Sequence, residues 1–185
     1  GRSRAEGGRP ETMGLAVMGG GGDSGSFSAA DFGNAIDVLA EHVGGGRVRQ
    51  VKGNSYKEDL VSGDAQAAIA WSGDIIQLNA EEGDKWEFAL PEGGATLWSD
   101  NLLVPMGATH TANAEQLIDY SLAPAVAAEV AAYVNFVCPV VGAEAEMEKI
   151  DPDLVGDPLI FPTEEDLENT HVFRTLDAEE EADFV

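Results

Sequence analysis

A chain of 185 residues with 44% hydrophobic content is long enough to bury a core, as one domain or as part of a two-lobed protein. Its 34 acidic residues against 10 Lys and Arg give a net charge of −24, which excludes a nucleic-acid binder, since that function needs a basic footprint. Such a surface favours solubility and attracts cations without specifying them, and most of the charge reads as a generally acidic exterior.

In chain order, residues 1 to 9 are rich in Gly and Arg and read as a frayed end. No apolar stretch follows these arginines, so no signal peptide opens the chain, and the abrupt start points to a segment upstream. ETMGLAVMG (11 to 19) predicts a short helix stopped by the glycine run 19 to 22. Ser28 caps a second helix, AADFGNAIDVLAEHV, whose Phe32, Ile36, Leu39 and Val43 fall on one apolar stripe. RVRQV predicts a strand and SYKEDLVSG a helix.

AQAAIAW (65 to 71) is an apolar run short enough for a buried strand, with Trp71 at its carboxyl end. Ser72 then caps GDIIQLNAEEG as a helix, and KWEFALP predicts another strand. NAEQLIDYSL and PAVAAEVAAYVNF are two further helices, the second opened by proline, and LDAEEEADFV is a terminal one. Alternation of strand and helix gives an α/β class.

Several patterns resolve to ordinary structure. GGGGDSG (19 to 25) follows a helix and lacks the Gly-Lys-Ser/Thr ending of a phosphate loop, so it is a turn. DPDLVG (151 to 156) carries Pro152 and Val155 where a calcium loop needs oxygen ligands or freedom. His42, His110 and His171 share no metal-ligand spacing, and no metal or cofactor is expected. Ser72 lacks the preceding glycine of a nucleophile elbow. Cys138, the single cysteine, allows no internal disulfide and reads as a small buried apolar residue. No run is long enough to span a membrane.

The tryptophans remain. Core packing is the commoner role for any one of them, and Trp86 fits it. Trp71 and Trp98, however, each stand at a predicted strand end, where open α/β sheets build ligand crevices. In GGATLWSDNLLVP (93 to 105), Trp98 and Asp100 are two apart, which in a strand places both on one face. An aromatic surface beside a carboxylate suits an organic cation.

GDAQAAIAWSGDIIQL, LPEGGATLWSDNLLVP, NFVCPVVGA and DPLIFP, in this order and spacing from about residue 10 to 176, resemble the polyamine (spermidine/putrescine) substrate-binding proteins of bacterial ABC importers. The resemblance implies a two-lobed periplasmic-binding-protein fold of type II, of which this chain is the later part. It assigns 1–98 to the first segment of lobe two, 99–146 to a return into lobe one, and 147–185 to the C-terminal segment of lobe two. Trp71 matches the tryptophan along the polyamine's methylenes. Trp98 and Asp100 match a crossing-strand tryptophan and an amine-binding aspartate, and Glu11 a glutamate that contacts an amino group. Phe136 stands where the family often has tyrosine, Gly8 where an acid is expected, and Phe173 or Arg174 near a late glutamine. These departures fit a shorter diamine or another organic cation.

The implied function is the extracytoplasmic solute-binding component of an ABC importer, secreted to the periplasm or outer face of the membrane, free or lipid-anchored. Its partners would be a polyamine, a membrane permease and the N-terminal lobe of the same protein. Two other readings stay open: a hydrolase using paired carboxylates such as Glu11 and Asp100, and a stable fragment inactive on its own.

Overall fold

The computed structural model describes residues 3–5, 9–51 and 53–183. They divide into two compact units, one of Gly1–Trp98 with Asn169–Val185, the other of Ser99–Glu168. The second unit runs on through 147–168, a stretch that the resemblance joins to the C-terminal segment.

The first unit opens with β1 (Ser3–Ala5) and α1 (Arg9–Gly19). Far from fraying throughout, the N-terminal segment supplies the central strand of a parallel sheet, between β2 (Val48–Val51) and β3 (Ala67–Ala68). Composition hides this strand, because the flanking glycines and arginines are loop-formers while the pairing is made with residues over 40 positions away. Helix α1 stops at the glycine run as expected, its end closed by Gly20 and Gly22 N–H groups donating to Val17 O. Gly14, in mid-helix, is explained by packing: a Cβ there would fall 2.6 Å from Thr96 Cγ2.

Helix α2 (Ala29–Gly44) starts with a full capping box. Ser28 Oγ accepts the Asp31 N–H, and the Asp31 carboxylate accepts the Ser28 N–H at 2.9 Å. Its buried side is Phe32 and Ala35, with Leu39 alongside, whereas Ile36 and Val43 of the expected stripe face water. The core has room for a narrow face only, shared by Met13, Val17 and Phe27, and closed by Phe173 and Leu176 from the chain's end.

After β2, α3 (Tyr56–Val61), β3 and α4 (Ser72–Glu82) surround a second core of Tyr56, Leu60, Ala65, Ile75 and Leu78. Three expectations fail here. Ser72 is not the cap of α4; Trp71 holds that position with extended dihedrals, and no side chain caps it. The strand expected over 65–71 contracts to β3, because only that short piece lies beside β1. KWEFALP forms no ladder. Instead the Asn79 side chain does a strand's pairing, donating to Trp86 O at 2.8 Å and accepting from Trp86 N at 3.1 Å, which lays Trp86 and Phe88 on the core.

β4 (Ala95–Thr96) pairs in parallel with the late β5 (Thr170–His171), tying the C-terminal segment back to the first unit. Gly94, at φ +104°, makes the turn into β4, and a Cβ would strike the His171 ring at 2.8 Å. Arg174 completes the closure: its guanidinium stands 4.3 Å from the centroid of the Phe27 ring, donates to Phe27 O and forms a bidentate pair with Glu180. Glu180 lies just inside α9 (Ala178–Asp183).

The second unit holds α5 (Thr111–Ser121), α6 (Pro124–Val134), α7 (Ala143–Met147), a single 3-10 turn at Pro152–Leu154, and α8 (Glu164–Leu167). Proline opens α6 as expected. The 151–156 segment is the expected turn, with Asp151 Oδ1 accepting the Asp153 N–H. A small cluster of Ala127, Ala128 and Ala143 forms the core, flanked by Val140, Phe161 and a partly buried Cys138. Among the described residues no single helix is long and apolar enough to cross a membrane.

Candidate ligand-binding site

The chain path into α4 places Trp71. Its φ and ψ of −78° and 138° keep it extended while Ser72 begins the helix, so the indole leaves the backbone at the junction. The ring packs on the Tyr56–Leu78 core from one side and stays half-buried. The Trp71 N–H has no helical partner and donates to the Tyr56 hydroxyl at 3.2 Å.

Trp98 is brought to Trp71 by the β4–β5 pairing, two residues beyond β4. The two indoles meet edge to face, with centroids 5.0 Å apart and planes at 83°. That geometry places the positive edge of one ring on the negative face of the other, worth about 0.5–1.5 kcal/mol beyond burial. Trp98 is 42% exposed even so. An aromatic pair that is only partly buried is suited to lie against methylenes or a cation.

The remaining expected site residues divide between the units. Glu11 is in α1, and its side chain lies outside the described residues. Asp100 is exposed near the start of the second unit. Residues 97–105 carry no strand, so no sheet imposes a common face on Trp98 and Asp100. Phe136 is half-buried just after α6, beyond Asn135, whose left-handed φ of 56° ends that helix. The structure therefore brings Trp71 and Trp98 together within the first unit, while Asp100 and Phe136 belong to the second.

One group near the tryptophans escaped the sequence. Asp74, in the first turn of α4, is buried, and both carboxylate oxygens are engaged. The Tyr56 hydroxyl donates to Oδ2 at 2.7 Å and the Lys57 ammonium to Oδ1 at 2.9 Å. Since Tyr56 also receives the Trp71 N–H, one hydroxyl links the carboxylate to the backbone that carries the indole. An aspartate in the first turn is ordinary helix chemistry, so no sequence signal marked it. Among the described residues no cluster of His, Cys, Asp or Glu is arranged to hold a metal ion.

Residues 12–161 match the model of the family described as bacterial extracellular solute-binding protein. The putrescine-binding periplasmic protein PotF of Escherichia coli (strain K12) is 31% identical over 122 residues, covering 63% of this chain and 32% of that protein. Among solved structures, one from Listeria monocytogenes titled a spermidine/putrescine ABC transporter superposes with a TM-score of 0.84 at 26% identity, over 99% of this chain and 55% of that one. The spermidine/putrescine substrate-binding protein PotD of Streptococcus pneumoniae gives a TM-score of 0.80 at 19% identity, again over 99% and 55%, and bears on the fold alone. The fold is thus the α/β, periplasmic-binding-protein-like one expected, and the chain spans about a third of the length of the curated relative just named.

Proposed function

The chain belongs to the bacterial extracellular solute-binding proteins, and on that premise we propose that it is part of the solute-binding component of an ABC importer that carries a polyamine or a related organic cation. The observation that carries this reading is the edge-to-face Trp71–Trp98 pair, an aromatic surface that is only partly buried. Asp100 is the proposed carboxylate for one ammonium group, Phe136 a second aromatic wall, and Glu11 a further acid. A dication needs such partners, because burying an unpaired charge costs several kcal/mol or more. Each cation–π contact contributes about 0.5–2 kcal/mol.

In this reading residues 1–98 and 147–185 form lobe two and residues 99–146 return to lobe one, with the hinge near Trp98 and Ser99. Ligand touching both lobes favours the closed form, which the permease then recognises outside the cytoplasmic membrane. No reaction is implied. A hydrolase built on Glu11 and Asp100 would instead show turnover with a bell-shaped pH–rate profile.

A second reading, that these 185 residues are inactive by themselves, draws support from the second unit. Leu103, Met106, Tyr133 and Val141 are almost entirely exposed there, apolar surface left open to water. The relatives' additional length is where we place the polypeptide that covers it and completes the site.

The test is calorimetry of putrescine and spermidine on the full-length protein. Trp71→Ala and Asp100→Asn should each weaken binding at least tenfold, and unchanged affinity in both would remove the site assignment.

A further inference from the structure

The Asp74 carboxylate already holds an ammonium group, and that ammonium belongs to the protein. Lys57 Nζ lies 2.9 Å from Asp74 Oδ1, and the two side chains differ sharply in exposure, 34% for Lys57 and 11% for Asp74. Asp74 cannot follow its partner into water, because Tyr56 grips its other oxygen and the first turn of α4 fixes its stem. Lys57 can leave: it is the second residue of the short helix α3 and carries a compact charge on a flexible stem.

Both residues line a groove of about 400 Å³ between α3 and α4. Its walls are apolar at Val61 and Leu78 and acidic at Glu58 and Glu81. A primary ammonium on an alkyl chain matches that lining, with carbon against the aliphatic side chains and charge against the carboxylates. Any such group must first contend with Lys57.

Resting on the organic-cation reading above, we propose that Lys57 is a tethered counter-ion on Asp74 that a ligand's alkylammonium group displaces, and that it thereby lowers the protein's affinity for cations. The exchange replaces one ammonium by another, so the buried carboxylate is never left unpaired, the outcome that would cost several kcal/mol. The freed Lys57 enters water beside exposed Glu58 and Glu81. Through the Tyr56 hydroxyl the exchange also reaches the Trp71 N–H, so occupancy of Asp74 is coupled to the backbone that presents the aromatic pair. A mere structural brace predicts something different: removing Lys57 would lower stability and leave ligand affinity equal or reduced.

The experiment is calorimetric titration of putrescine into the full-length protein, wild type against Lys57→Met, Lys57→Gln, Asp74→Asn and the double variant Lys57→Met/Asp74→Asn, with melting temperatures for each. Both Lys57 variants should bind putrescine at least fivefold more tightly than wild type, Asp74→Asn more weakly, and the double variant should lose the gain. Binding by wild type with equal or weaker affinity in the folded Lys57 variants overturns the counter-ion and leaves the cation reading standing. Loss of the fold in both Lys57 variants makes the pair a brace and also overturns the proposal. If no form binds putrescine, the Lys57 variants included, the cation reading falls and the counter-ion with it.

Discussion

The two units solve the burial problem unequally. The first encloses Phe27, Phe32, Tyr56, Ile75 and Leu78 in two cores and knits its distant ends through β4–β5 and Arg174. The second buries mainly alanines at its centre, with Met147 and Ile160, while Leu103 is left 83% and Tyr133 85% exposed. Hydrophobic stabilisation scales with apolar area removed from water, at roughly 25 cal/mol per Å², so alanine contacts contribute little beside a phenylalanine. The first unit has the interior of a finished body. The second leaves large apolar side chains open to water.

The sharpest way to break this contrast is to cut a large side chain from each. Phe32→Ala should destabilise the full-length protein by about 3–5 kcal/mol in denaturant unfolding, as core truncations of this size do. Tyr133→Ala should cost within about 0.5 kcal/mol in the 185-residue chain, as at other exposed positions. In the full-length protein it should cost clearly more if this face is covered there. Equal small effects of Tyr133→Ala in both proteins would contradict the idea of a covered face.

A smaller effect separates two identical devices. Ser28 and Thr163 each head a capping box, closed by Asp31 and Asp166 respectively. Ser28→Ala should cost about 1 kcal/mol, because it starts a helix of 16 residues that carries core contacts. Thr163→Ala should cost less, since α8 is only 4 residues long with no buried side chain. A reversed order in urea melts would show that the second unit is more cooperative than its packing indicates.

The smallest effect is conditional on pH. Hydrogen bonds from Arg174, then the Asp177 N–H, lower the Glu180 pKa from 4.5 to about 2 in the folded state. A depressed carboxylate pKa stabilises above the unfolded value and loses that stabilisation as pH falls through the folded one. The clasp should therefore be at full strength above pH about 4.5 and gone near pH 2. In melts at stepped pH, the difference between wild type and Glu180→Gln should shrink over that interval and be constant above it. A difference that persists unchanged at pH 2 would show that Glu180 acts through something other than its charge.

Helices were legible in the sequence because their signals are local: Ser28 three residues before Asp31, Pro124 at the head of α6, glycines after α1. Strands were legible only in part: RVRQV is indeed β2, but a strand exists only with a partner. The run 85–91 reads as a strand yet has no ladder, while Ser3–Ala5, with nothing strand-like about it, sits mid-sheet. The same divide holds at the site. Trp71 and Trp98 could be picked out as aromatics at the ends of apolar runs, and their meeting is within the structure's first unit. The Tyr56–Asp74–Lys57 network joins residues 17 and 18 apart across two helices, and no spacing rule announces it.

The most direct test of the account compares putrescine binding by the full-length protein and by the 185-residue chain in equilibrium dialysis. The account predicts saturable binding to the full-length protein, without turnover, and affinity at least tenfold weaker for the shorter chain. Chemical conversion of the ligand, or absence of saturable binding by the full-length protein to any polyamine or other organic cation, would contradict it.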